Sequence, residues 1–118
     1  MTILKVYEYP KCSTCIRAVK FLTNARYALE RINIFETPPT KEEIRKMLRY
    51  EGDARKLFNT SGHVYQEQGL SKKVPLMSED EVVNMLAANG RLVKRPFVLW
   101  DDKGLVGYDL ERWKKIFH

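Results

Sequence analysis

Soft metal donors are scarce in this sequence, and long apolar runs are absent. Its 118 residues include two cysteines and two histidines, and none of its hydrophobic stretches approaches the roughly 20 residues that span a bilayer. A structural zinc site takes four ligands. Beyond the cysteines the only other soft donors are His63 and the terminal His118, so no metal is expected. Repeats, low-complexity tracts and linkers are missing too. The N-terminus runs straight into strand-like Ile3-Leu4-Lys5-Val6-Tyr7 with no signal-peptide pattern, which sets a cytoplasmic location as the expectation. No basic run is long enough to act as a nucleic-acid arm, so neither nucleic acid nor membrane is an expected partner.

What remains is an ordinary globular composition, 44% hydrophobic and 31% charged. The length predicts a single domain whose core needs neither a disulfide staple nor a metal, and a monomer is the expectation. The formal charge is +6, with local groups at Lys11/Arg17/Lys20, Arg91/Lys94/Arg95 and Arg112/Lys114/Lys115. The plain reading is a basic solvated surface. The functional one is attraction of anions: glutathione, an oxyanion or an acidic protein face.

Both cysteines fall in one motif, Cys12-Ser13-Thr14-Cys15, between a short apolar run and a helical one. At a helix N-terminus the unpaired backbone N–H groups carry partial positive charge, which favours a thiolate over a thiol. In a reducing compartment such a pair is catalytic, redox-sensing or metal-binding rather than structural. The alternative is a pair of inert core thiols. Cys15 also lies on the apolar stripe Cys15, Ala18, Val19, Leu22, so partial burial is expected for it.

The element order can be read along the chain. Ile3 to Tyr7 predicts a buried strand, the run from Thr14 a helix, and Leu29 to Phe35 a second strand in a βαβ unit with a parallel pair. Pro38-Pro39 stops that strand. Thr40-Lys41-Glu42-Glu43 and Ser78-Glu79-Asp80-Glu81 are capping boxes that open helices. Gly52 ends the first of these, and short helices are expected over 53–58 and 63–68. Phe97 to Trp100 predicts a strand that turns at 101–104 and returns through Leu105-Val106-Gly107. Asp109 caps a last helix with Leu110, Trp113 and Phe117 on one side. This β-α-β, helices, β-β-α order is that of a thioredoxin-like α/β fold: a mixed four-stranded sheet, with the core at about 1–37 and 91–118 and an all-helical insertion at about 38–90.

Tyr9-Pro10-Lys11-Cys12-Ser13-Thr14-Cys15, Asn33-Ile34-Phe35, Pro39-Thr40, the stretch Lys56 to Gly62, and Lys94-Arg95-Pro96-Phe97-Val98 together resemble the ArsC/Spx family. These are small bacterial proteins related to glutaredoxin-linked arsenate reductases and to the Spx regulators. The resemblance implies that Cys12 is the reactive cysteine and that Arg95 holds an oxyanion near its sulfur. It also implies that Pro96 is a cis-proline facing the thiol. Lys11 and Ser13 flank the sulfur and, with Asn59 and Pro96, complete the expected substrate-binding set. Cys15 matches the second cysteine of the Spx redox switch. Gly52 matches a glycine that Spx proteins use in docking to the C-terminal domain of the RNA polymerase α-subunit.

Departures from the reductase pattern are equally specific. Glu8 stands where the reductases have a histidine, Asn59 where they have a second arginine, and Val106-Gly107-Tyr108 lacks a third. Each charged hydrogen bond to an anion contributes roughly 1.5–3 kcal/mol, so two missing arginines argue against efficient arsenate reduction, and Glu8 adds repulsion. The leading expectation is a thiol–disulfide redox protein with catalytic Cys12, Cys15 and Arg95. It binds no cofactor and is reset by thioredoxin, glutaredoxin or glutathione. A redox-switched regulator that binds the polymerase α-subunit, and an arsenate reductase, are the rivals.

Overall fold

The computed structural model describes residues 2–117. Its centre is a four-stranded sheet in the order β2-β1-β3-β4, made of β1 (Ile3–Glu8), β2 (Ala28–Asn33), β3 (Phe97–Trp100) and β4 (Lys103–Val106). β1 and β2 run parallel, with Ile3 opposite Ala28 and Glu8 opposite Asn33. β1 with β3, and β3 with β4, are antiparallel. The parallel pair is joined by α1 (Ser13–Asn24), and the antiparallel pair by a tight turn in which Asp101 takes a left-handed conformation, φ 50°. This is the mixed sheet of a thioredoxin-like fold with a helical insertion.

Strand alternation divides the core into two layers. Leu4 and Val6 of β1, Val98 of β3 and Leu105 of β4 face one side, where they pack with Ala18 and Leu22 of α1 and with Trp113 and Phe117. Tyr7, Phe97 and Val106 face the other side and meet the inserted helices. Those helices are α2 (Lys41–Glu51), α3 (His63–Glu67), α4 (Leu70–Lys73) and α5 (Glu79–Ala88). Single turns of 3-10 helix lie at Ala54–Leu57, Val74–Leu76 and Gly90–Leu92. The chain ends with α6 (Leu110–Ile116) on the first face.

Both capping boxes form as expected: the hydroxyls of Thr40 and Ser78 accept from the N–H groups of Glu43 and Glu81, whose carboxylates accept from the cap residues' own N–H groups. Gly52 closes α2 in the left-handed region, φ 80°.

Two expectations need correction. β2 covers 28–33 rather than 29–35, because Asn33 turns the chain: its side-chain oxygen accepts from Phe35 N–H, and its carbonyl accepts from Glu36 and Thr37. Ile34 is buried as part of that turn, so its burial imitates strand alternation. Leu110 is exposed, so of the three apolar residues expected on the inner side only Trp113 and, just past α6, Phe117 face the core. The short helical pieces over 70–76 and 90–92 lack a strong sequence signal, although they bury Leu70, Val74 and Leu92. His118 lies outside the described residues.

Candidate functional site

Cys12 is the N-cap of α1. Its N–H donates to the Tyr9 carbonyl at 3.0 Å, and its own carbonyl accepts from Ile16 N–H at 3.0 Å. These bonds fix its side chain at the mouth of the first helical turn. That turn holds no acidic residue, whereas α2 opens with Glu42 and Glu43, and α5 with Glu79, Asp80 and Glu81. The positive end of α1 is therefore left for the sulfur. The sulfur closes no full capping bond of the kind Thr40 makes, yet the N–H groups of Thr14 and Cys15 face it.

The two thiols of this motif are driven in opposite directions. Partial burial pushes the Cys12 thiol up. The N–H and S–H of Cys15, the N–H of Thr14 and the Arg95 guanidinium together outweigh it and bring Cys12 below the ordinary value near 9. Cys15 is fully buried, and burial is the main cause that pushes it up to about 12. The Tyr9 N–H opposes that shift, while the hydrogen bond to Cys12, the charge of Cys12 and the charge of Glu8 add to it. Both thiols are free. The outer one is the better anion, and the inner one is the better proton donor to it.

The charge of Arg95 acts on the sulfur from the loop before β3. That loop is held on both sides: Lys94 N–H donates to Leu57 O at 2.7 Å, and Pro96 O accepts from Gly107 N–H at 2.8 Å. The Arg95–Pro96 peptide is cis and Pro96 is buried. Arg95 Nη1 makes one long bond, 3.4 Å, to Val93 O, and its buried Nε has no partner among the described residues. The guanidinium carbon lies 5.0 Å from the centre of the Phe35 ring. Arg91 lies over the same ring at 4.5 Å. Phe35 in turn stacks on Tyr9, with centroids 4.1 Å apart and planes 25° apart. Neither guanidinium meets a carboxylate among the described residues. The loop that carries the thiol thus holds one ring of an aromatic pair, over which lie two guanidiniums with no carboxylate partner among the described residues.

Residues 7–116 match the model of the ArsC family. The chain belongs to the ArsC family. It is 41% identical to the uncharacterised Bacillus subtilis protein YusI over 113 residues, 95% of this chain and 96% of YusI. It is 29% identical to an arsenate reductase of Neisseria meningitidis, covering 94% and 95% of the two chains. With the global transcriptional regulator Spx of Streptococcus mutans it shares 26% identity over 91% of this chain and 77% of the regulator. An ArsC-family-related protein from Bacteroides fragilis has the same fold, with TM-score 0.88 and 41% identity over 96% of this chain and 97% of that one.

Within this ArsC fold, Cys12, Cys15, Arg95 and Pro96 gather at one end of the sheet. Lys11 and Ser13 are exposed on either side of Cys12. Asn59 is held alongside the Arg95 loop: its N–H donates to Leu92 O at 2.8 Å, and its side-chain oxygen accepts from the Ser61 hydroxyl at 3.3 Å. Gly52 is elsewhere. It lines a cleft of about 300 Å³ with Leu48, Asp53, Ala54, Met77, Glu79 and Val82, none of them from the thiol loop. His63 is exposed at the start of α3. No helix among the described residues is long and apolar enough to cross a membrane.

Glu8 requires the clearest revision. Its carboxylate does not stand free against an incoming anion. It is 2% exposed, its Oε2 accepts from Arg31 Nε, and its charge bears on Cys15. The sequence reading also missed Tyr9, Phe35 and Arg91 as a unit. Arg91 was visible as a member of a basic group, but nothing local shows that it shares a ring with Arg95.

Proposed function

We propose that this protein carries out thiol–disulfide exchange, with Cys12 as the attacking sulfur and Cys15 as the resolving one. The opposite shifts of the two thiols support the reading most directly. An attacking sulfur has to be ionised and reachable, and a resolving sulfur has to keep its proton until the first step is complete. The Cys12 thiolate attacks one sulfur of a disulfide R–S–S–R′. A Cys12–S–S–R bond forms, and R′–S⁻ leaves with the electron pair. Cys15, once deprotonated, attacks Cys12 and expels R–S⁻. The substrate gains two electrons and the Cys12–Cys15 disulfide holds their loss. Thioredoxin, or glutathione with glutaredoxin, returns the pair to the dithiol in a reducing cytoplasm.

A Cys15→Ser variant tests the reading. It should accumulate a mixed disulfide at Cys12, visible as a mass increment on the peptide that contains residue 12. If no adduct forms, and Cys12 is alkylated no faster at pH 7 than an unstructured cysteine, the exchange reading fails.

A second reading is a regulator that uses the same disulfide to bias a surface. Gly52 supports it: the residue is exposed, its φ is 80°, and a side chain placed there would meet nothing within 4 Å. The surface is therefore open to receive the C-terminal domain of the RNA polymerase α-subunit, in keeping with the likeness to Spx. A pull-down of that domain with reduced and with oxidised protein decides it, and absence of binding in both states removes it. Arsenate reduction has less support, since Arg95 alone keeps an arginine at the three positions where the reductases carry one. Turnover coupled to glutathione and glutaredoxin, lost in Arg95→Ala, would reinstate it.

A further inference from the structure

β1 and α1 face each other in matched rows. Leu4 and Val6 point to the α1 side, where Ala18 and Leu22 receive them, while Tyr7 points to the other side. The strand row continues to Glu8, and the helix row continues back to Cys15. Glu8 therefore occupies, opposite Cys15, the position an apolar residue would fill. It is buried almost completely, and a buried carboxylate is costly to keep unless its oxygens are partnered. Oε2 is satisfied by Arg31 Nε from β2, but Oε1 is sealed from solvent with no partner among the described residues.

The exchange cycle has a matching gap. Cys15 holds its proton firmly while Cys12 is a thiolate, and it has to lose that proton to attack. Once Cys12 is in a mixed disulfide its negative charge is gone, and one cause of the tight hold disappears. A base beside Cys15 then completes the step.

We propose that Glu8 is the proton acceptor for Cys15 in the resolving step, a role that rests on the exchange reading above. The Glu8 carboxylate takes the Cys15 proton, directly or across one water, as Cys15 Sγ attacks Cys12 Sγ. The Cys12–Cys15 bond forms, the Cys12–S–R bond breaks, and R–S⁻ departs with the electron pair. A turn of the carboxyl group then brings the proton to the cleft of about 300 Å³ that Glu8 lines with Pro10, Arg31, Ile32 and Asn33, where water takes it. Arg31 from β2 bonds the Glu8 carboxylate, and Cys15 from α1 feels its charge and that of Cys12. Arg31 holds the carboxylate in place and leaves Oε1 as the free acceptor.

The reduced protein mixed with dithiobis(nitrobenzoate) separates the two steps. The first thionitrobenzoate anion is released when Cys12 attacks, and the second when Cys15 resolves. In Glu8→Gln the first release should change less than about twofold, and the second should slow about a hundredfold, the lower end of the range for loss of a general base. The second release should also become hydroxide-dependent, rising about tenfold per pH unit, where the parent is level around neutral pH. Glu8→Asp keeps a carboxylate on a shorter arm and should slow the second release alone, by a few-fold; it serves if Glu8→Gln does not fold. A second release within twofold of the parent in Glu8→Gln overturns the proposal, as does an equal slowing of both releases. If the parent itself makes no second release, the exchange reading fails first.

Discussion

Glu51 grips Arg112 with both carboxylate oxygens, at 3.2 and 2.8 Å, and the same carboxylate accepts the Val106 N–H at 3.2 Å. One side chain at the end of α2 thereby ties the inserted helices to β4 and to α6. The Glu51 side chain is only 5% exposed, so its partners depend on it. Arg112 is 43% exposed and can turn to water, which lowers the cost of losing the pair. Glu51→Ala should cost about 2 kcal/mol, mainly from the stranded Val106 N–H and one charged bond. Urea unfolding measures it, and a change under about 0.5 kcal/mol would show that the tie is ornamental.

Alkaline pH should destabilise this protein in two stages. The folded value of Cys15, about 12, lies above its ordinary value near 9. Below 9 the folded and unfolded chains both keep the proton. Between 9 and 12 the unfolded chain sheds it while the fold retains it, so stability falls as pH rises. Tyr7 follows the same sign from a higher start. Burial, and the bond from its hydroxyl to Glu43 at 2.6 Å, raise it from 10 to about 12. Thermal unfolding across this range should lose its first stage in Cys15→Ala and its second in Tyr7→Phe. A parent curve that is flat from pH 9 to 11 contradicts both assignments.

The two guanidiniums on Phe35 should divide their labour. Arg95 acts on the ionisation of Cys12, so Arg95→Ala should move the midpoint of its alkylation profile upward and slow alkylation at pH 7 roughly three- to tenfold. Arg91 is exposed and does not figure among the causes that hold Cys12 down, so its effect should follow the charge of the partner. In Arg91→Ala, glutathione disulfide, which is anionic, should react several-fold more slowly, while neutral hydroxyethyl disulfide is unaffected. Stopped-flow rates with both disulfides at low and high salt distinguish the two roles. Equal slowing of both reagents in Arg91→Ala argues against selection by charge.

Gly90 explains how Arg91 comes to lie over Phe35. A Cβ built on Gly90 would stand 1.8 Å from Ile34 O and 2.8 Å from its carbonyl carbon. Those are backbone atoms and cannot swing aside. Gly90→Ala should therefore destabilise by about 3 kcal/mol or more, the upper range for overpacking, and lift the 90–92 turn off the Ile34–Phe35 segment. Denaturation midpoints report the first effect, and loss of the glutathione disulfide preference in the surviving folded fraction reports the second. An alanine variant as stable as the parent would mean that this approach is not tight.

Local chemistry made much of the fold legible. A capping box specifies itself within four residues, so Thr40 with Glu43 and Ser78 with Glu81 could be read without knowing what the helices pack against. The C-x-x-C motif is equally compact, and the order of strands and helices followed from turns and periodicity. Signals that need a distant partner were not legible. Ile34 and Phe35 look like strand residues until the Asn33 side chain is seen to close a turn onto Phe35. Glu8 looks like a charge set against an incoming anion until its strand row is set against α1. The ring shared by Arg91 and Arg95 joins residues more than fifty positions apart and has no local signature.

One sulfur of the pair is sealed and the other is open to solvent. An electrophile that meets the native protein therefore finds a single point of entry, whatever its identity. Irreversible alkylation should stop at one tag per molecule, and a second tag would report that the molecule had unfolded. The same asymmetry makes intact mass a direct counter of how many copies in a sample are folded and reduced.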